Sequence, residues 1–201
     1  GFKSGAYSFR QETSSKEWAT GYDFPALDNG WVVKTELPDG SIGSAQAFVF
    51  NLDKPQWQDA RVREAIGLMF NFEWSNESLF YGLYSRVNSF WQNSDLEAKG
   101  TPSTGEVAIL QPLVDEGLLP ASILTDEAVM SPVSSTIDRP LDRGNLRRAS
   151  ALLDEAGWVS GADGIRHKDG QTLDAVFLNY SPLFDRIINP MIENLTRLGV
   201  N

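Results

Sequence analysis

At 201 residues, 41% of them hydrophobic and 22% charged, the chain has the composition of a packed globular protein rather than a disordered one. Its 27 acidic against 17 basic residues leave a net charge of −10, which argues against nucleic acid as the main partner, because phosphate binding needs a Lys/Arg face. The lack of cysteine excludes a disulfide framework, thiolate metal sites and cysteine nucleophiles.

The first fifty residues read as strand-rich. AYSFRQE alternates, with Tyr7 and Phe9 on one side and Ser8 and Arg10 on the other. SSKEWATGY predicts a short helix capped by Ser14 or Ser15 and stopped at Gly21. GWVVKTEL and AQAFVFNL, separated by the turn material PDGSIG, predict a strand pair. GFKSGAYSFRQ has neither the basic start nor the apolar stretch of a signal peptide, and the N-terminus is expected to be an internal cut. No apolar run approaches the roughly 18 residues of a membrane helix.

From Asp59 the period changes to helical. Val62, Ala65, Ile66, Met69 and Phe70 form a stripe, with Asp59 as its cap and Arg61, Arg63 and Glu64 toward water. NFEWSNESLFYG predicts a second helix stopped at Gly82, and SRVNSFWQNSDLEAKGTPSTGE a long loop. GEVAILQPLVDEG is helical, and the stretch to Gly144 is mostly irregular. NLRRASALLDEAGW is a helix capped by Asn145, with Leu146, Ala149, Leu152, Leu153 and Ala156 buried and Gly157 at its end. GIRHKDGQTLDAVFLNY predicts a β-hairpin turning at Asp169-Gly170. SPLFDRIINPMIENLTRLGVN is helical, and Pro190 either kinks one helix or sits in the first turn of a new one capped by Asn189; the second reading is preferred. Gly199 closes the helix and Val200-Asn201 are expected to enter a strand.

Parts for catalysis are missing. The single histidine, His167, is expected to be an exposed neighbour of the hairpin turn, not a general base. The pairs Asp115/Glu116, Asp126/Glu127 and Asp154/Glu155 diverge on a helix and suit neither a metal nor acid–base work. No phosphate-cradling loop and no Gly-x-Ser-x-Gly elbow occurs. The basic run DRGNLRRAS is expected to be a solvated helix face. The chain is therefore expected to be no enzyme and to need neither cofactor nor metal. Its distinguishing feature is an excess of large aromatics in segments rich in Ser, Asn and Gly: Trp18, Tyr22, Phe24, Trp31, Tyr84, Phe90 and Trp91. Rings flanked by amides and hydroxyls suit an extended, semi-polar ligand, and they equally suit packing beneath loops.

FVFNLDKPQWQDARVREAIGLMFNFEW resembles the signature of family 5 extracellular solute-binding proteins, the peptide-binding components of ABC importers, at Phe50, Asn51, Pro55, Asp59, Arg61, Val62, Arg63, Glu64 and Ala65. NLRRASALLDEAGW and NLTRLGVN are similar to two later hallmarks of that family. FKSGAYSFRQETSSKEWATGYDFPA and LFYGLYSRVNSFWQNSDLEAKGTPSTGE look like its oligopeptide and microcin C subgroup, and FNFEW stands where many members carry Asp-Lys.

The resemblance implies a mixed α/β fold of the type II periplasmic binding protein kind. Within it, residues 1–48 would be a strand-rich edge of lobe I with the hinge crossover, and 49–201 most of lobe II. It implies capture of an oligopeptide or peptide-like ligand between two lobes by hinge closure, and delivery to membrane permease subunits. The host protein would be a monomer, periplasmic or lipid-anchored outside the membrane. Asn51 and Pro55 would fix a turn, making the cassette a signature of fold. With the family's amino-terminus-binding carboxylate outside this chain, the ligand contacts fall to Trp18, Tyr22, Asp23, Tyr84, Arg86, Asn88, Ser89, Phe90 and Trp91, with Arg86 facing a ligand carboxylate. The alternative is a protein-interaction or sensor module reusing the same lobe.

Overall fold

The computed structural model describes residues 1–43 and 46–201. In chain order the helices are α1 (Ser15–Thr20), α2 (Pro25–Asp28), α3 (Ala60–Gly67), α4 (Phe72–Leu79), α5 (Thr104–Asp115), α6 (Arg143–Glu155) and α7 (Asp185–Leu198). The strands are β1 (Val159–Ser160), β2 (Arg166–Lys168) and β3 (Gln171–Thr172). The chain divides into two compact units. The first comprises Gly1–Glu36, Phe48–Ser85 and Pro132–Asn201, and the second Leu37–Ala47 and Arg86–Ser131.

In the first unit α3 starts where Asp59 accepts the Arg61 amide at 2.9 Å. Its stripe of Val62, Ala65 and Ile66 is buried against α6, whose inner face is Ala149 and Leu153. Each large side chain in this seam contributes about 1.5–3 kcal/mol by leaving water. The edges of the seam are polar: Arg148 pairs with Glu64, and the Arg61 guanidinium donates to the Glu155 carbonyl at 2.9 Å. Trp57 and Trp158 belong to the same buried cluster, with Met69, Leu173, Met191 and Leu195 among its other members.

The cap of α6 is Asp142, not Asn145. Asp142 Oδ1 accepts the amides of Gly144 (2.7 Å) and Asn145 (3.1 Å), while Oδ2 accepts the amide (2.5 Å) and hydroxyl (2.7 Å) of Ser135. The Asn145 side chain turns back instead to Ser134 Oγ, at 3.2 Å. One carboxylate thus serves both the helix and the loop before it, which an amide two residues inside the helix cannot do. Burial pushes the Asp142 carboxyl up, but the Ser135 hydroxyl and the three amides outweigh it and bring the pKa down to about 2. Because the folded value lies below the ordinary 3.8, its stabilisation is complete above pH ~4 and is lost as pH falls toward ~2. Asp142→Asn is expected to lower stability by about 2 kcal/mol at pH 7, and the gap to wild type should narrow between pH 4 and 2 in urea titrations. A gap constant over that window would remove the assignment.

α7 runs unbroken through Pro190, which corrects the preferred reading of a new helix capped by Asn189. Ile188, Met191, Leu195 and Leu198 form one buried stripe on both sides of the proline. Their common burial outweighs the cost of an interior proline, about 3 kcal/mol or more for the lost hydrogen bond and the crowding of the preceding turn. The helix ends at Gly199 with φ 88°, and a Cβ there would lie 2.8 Å from the Gly164 carbonyl oxygen. Only glycine fits that approach.

The hairpin of β2 and β3 turns at Asp169 (φ 50°) and Gly170 (φ 77°), as the Asp-Gly pair predicts. β1 adds a third antiparallel strand, with Val159 opposite His167. Asn201 donates its amide to Leu173 O (2.9 Å) and accepts from the Ala175 amide (2.8 Å), the hydrogen-bond pattern of a parallel ladder. Val200-Asn201 therefore do enter extended pairing.

The strands expected in residues 1–50 do not form among the described residues. Trp31, Val33 and Val49 are exposed and irregular, and Trp31 and Val32 instead donate backbone amides to Ala26 O within α2. β-branched residues favour strands only where a partner strand gives them a surface to pack on. Part of AQAFVFNL lies outside the described residues.

The second unit is built around α5, which opens on a reciprocal capping box: Glu106 N donates to Ser103 Oγ and Ser103 N to Glu106 Oε2. Its loop is tied by Gly43 N to Gln92 O (2.9 Å) and Asn93 Nδ2 to Ser41 O (3.2 Å).

Candidate functional site

In the first unit three of the expected site residues gather around α1. Ser14 caps this helix by accepting the Glu17 amide. The Trp18 and Tyr22 rings lie 6.0 Å apart, and Lys34 Nζ sits 4.3 Å from the Trp18 centroid. The Tyr22 hydroxyl donates to Glu12 Oε2 at 2.8 Å, and Arg10 pairs with the same oxygen at 2.8 Å. Burial raises the Tyr22 pKa, and its bond to Glu12 raises it further. Tyr84 reaches the other end of α1, where its hydroxyl accepts the Ser15 amide at 3.3 Å. Asn76 holds Tyr84 in place through two bonds to its backbone, of 2.8 and 3.0 Å. Asp23 is exposed beside this group. A cleft of about 200 Å³ opens here, lined by Phe2, Lys3, Arg10, Glu12, Glu17 and Tyr22 among others.

The second unit carries the remaining residues. Asn88 and Ser89 are engaged in shaping their own loop. Asn88 Oδ1 accepts the Ser131 amide at 3.3 Å, and Ser89 Oγ accepts the Trp91 amide at 3.1 Å. The rings this loop presents are exposed, Phe90 at 80% and Trp91 at 52%. Arg86 is half-buried at the start of the same segment.

Sequence reasoning missed Arg10, Glu12 and Lys34, which hold the Trp18–Tyr22 pair. The alternation of AYSFRQE suggested a strand and hid the ion pair between Arg10 and Glu12. His167 is not simply an exposed turn neighbour: it is half-buried and bonded to the Asp163 carboxylate at 3.0 Å. No cluster of three His, Cys, Asp or Glu suited to a metal occurs among the described residues, and no described helix is long and apolar enough to cross a membrane.

The profile of bacterial extracellular solute-binding proteins, family 5 Middle, matches residues 1–201. The chain belongs to that family. It is 41% identical, over its whole length, to the probable peptide-binding protein YejA of Agrobacterium fabrum (strain C58), and 37% identical to YejA of Escherichia coli (strain K12). In both cases it covers 32% of the relative, so the chain spans about a third of the length of the curated relatives it matches. NikZ of Campylobacter jejuni, solved with Ni(L-His), aligns over 75% of this chain and 23% of its own at a TM-score of 0.49 and 19% identity.

The family 5 cassette reads in this chain as a device of the fold. Asn51 Oδ1 accepts the Asp53 amide (3.0 Å) and Asn51 O the Lys54 amide (3.1 Å), and Pro55 opens a single 3-10 turn to Trp57. Arg63 donates to the carbonyls of Trp57 (2.7 Å) and Gln58 (2.9 Å), locking that turn onto α3. Arg61 grips the Asp59 cap with Nε at 3.1 Å and Nη2 at 2.6 Å and holds its carboxyl down to about 2.

Proposed function

We propose that this chain is part of the binding protein of an ABC-type peptide importer. The observation that carries the reading is the 41% identity across the whole chain to a relative named for peptide binding, within a solute-binding family. In this reading the complete protein works outside the cytoplasm, free in a periplasm or lipid-anchored, as a monomer. It closes two lobes on an oligopeptide by hinge motion and hands it to permease subunits. Residues 1–48 belong to the edge of lobe I and the crossover, and 49–201 to lobe II. The chain supplies binding groups and no catalysis.

The exposed rings Phe90 and Trp91 suit direct contact with peptide side chains, and Arg86 suits a peptide carboxylate. Asn88 and Ser89 set the shape of the loop that bears the rings. Trp18, Tyr22, Asp23 and Tyr84 form a second set of contacts.

Peptides carried through native purification of the complete protein, identified by mass spectrometry, test the function. Phe90→Ala with Trp91→Ala is expected to weaken peptide binding about tenfold or more by calorimetry, with the melting temperature unchanged, because truncating anchor aromatics removes contact and little else. Unchanged affinity would remove the two rings from the site. A stable co-purifying protein with no peptide would favour the interaction-module alternative.

A further inference from the structure

In the first unit most arginines are committed. Arg10, Arg61, Arg148 and Arg166 pair with carboxylates, and Arg63 and Arg186 donate to carbonyls. The guanidiniums of Arg139, Arg143, Arg147 and Arg197 have no such partner among the described residues. Three of these, Arg139, Arg143 and Arg197, line one cavity of about 180 Å³ with Pro140, Leu141, Glu193 and Asn194. Arg147 lies one helical turn beyond Arg143, on the same side of α6.

The frame of this cavity is held from behind. Asn194, 3% exposed, donates to Pro140 O at 2.9 Å and to Met69 O at 3.0 Å. Asn71, also buried, donates to Arg139 O at 3.1 Å. The start of α6 is fixed by Asp142, whose oxygens are taken up by Ser135, Gly144 and Asn145. Asp142 stays ionised, but its oxygens are directed at these amides and the hydroxyl, and Glu193 is the one acidic residue among those lining the cavity. Among the lining residues three guanidiniums face one carboxylate, a local positive excess that suits an oxyanion. Like charges collected on a fixed frame repel one another, and an anion seated among them relieves that repulsion. In a chain of net charge −10, such an excess is a local exception to the overall balance.

We propose that the cavity of Arg139, Arg143 and Arg197 binds a phosphate-type oxyanion, either free or as the headgroup of an anionic lipid. None of its lining residues is among those assigned to peptide, so the site stands or falls apart from the peptide reading. The basic run DRGNLRRAS is then divided in use: Arg148 docks α6 on α3, while Arg143 faces the cavity.

The test uses the complete protein at low ionic strength. Inorganic phosphate is titrated by calorimetry, and phosphatidylglycerol vesicles are compared with phosphatidylcholine vesicles by co-sedimentation. Saturable phosphate binding identifies a free-anion site, and selective sedimentation with phosphatidylglycerol alone identifies a headgroup site; either supports the proposal. The variant R139Q/R143Q/R197Q should then weaken binding about tenfold or more, and Glu193→Gln should strengthen it a few-fold. Lys54→Gln, an exposed charge change elsewhere, should leave it unaltered. All four side chains changed in the site variants are exposed, so the melting temperature serves as a check on folding. The proposal is overturned if neither probe binds, if Lys54→Gln weakens binding as much as the triple variant, or if only an acidic peptide such as polyglutamate binds at these residues.

Discussion

Replacing Arg166 by methionine is expected to destabilise the chain by about 3–5 kcal/mol, measured as the shift in equilibrium urea unfolding. Arg166 is 4% exposed, and all of its donor nitrogens meet oxygen: Nε donates to Leu198 O at 3.0 Å, Nη1 to Trp158 O and Asp154 Oδ1 at 2.6 Å each, and Nη2 to Ser150 Oγ at 2.5 Å. One planar fork therefore joins the end of α7, the turn after α6 and the face of α6 to β2. Methionine fills similar space but leaves the carbonyls of Leu198 and Trp158 without their donor, at about 1–3 kcal/mol for each buried group left unpaired. Arg166→Lys keeps the charge yet cannot reach three directions at once, so it should recover only part of the loss. A methionine variant within 1 kcal/mol of wild type would show that the fork is dispensable.

The second large effect is expected at Asn194. Its amide nitrogen bridges the carbonyls of Met69, at the end of the α3 segment, and Pro140, ahead of α6. Asn194→Leu keeps the volume and removes both bonds, so about 2–4 kcal/mol should be lost. Asn194→Asp separates hydrogen bonding from packing. A carboxylate would face two carbonyl oxygens in a buried setting, so this variant should be less stable than the leucine one at neutral pH. Equal stability of the two, by the same urea titration, would point to packing as the role of this side chain.

Neither residue was legible in the sequence, and the reason is physical. Arg166 stands in a hairpin and Asn194 in the buried stripe of an amphipathic helix, and their most distant partners lie 32 and 125 residues away along the chain. What pattern does reveal is local. The stripe of Val62, Ala65 and Ile66, the Asp59 cap, the Asp169-Gly170 turn and the Gly199 stop each depend on neighbours within a few residues, and each is present. Asp142 and Asn145 are both good capping types, and the Gly144 and Asn145 amides that Asp142 accepts decide between them. The strands of residues 1–50 failed for the opposite reason: propensity was present, but among the described residues no pairing partner is.

At the candidate site the aromatic residues were visible as a compositional excess. Their division into Trp18 and Tyr22, pinned by Glu12 and Lys34, and Phe90 and Trp91, standing in solvent, needed the fold. Composition likewise counted arginines without separating those that hold the core from those that line a cavity.

The tryptophans divide in a way that has a practical side. Trp57 and Trp158 sit in the α3–α6 core, whereas Trp31 and Trp91 face water. The two groups give the molecule distinct emitters, one shielded and blue-shifted, the other reachable by a soluble quencher such as iodide. Loss of the core is thereby readable in the same fluorescence spectrum as events at the exposed Trp91 loop, without any label.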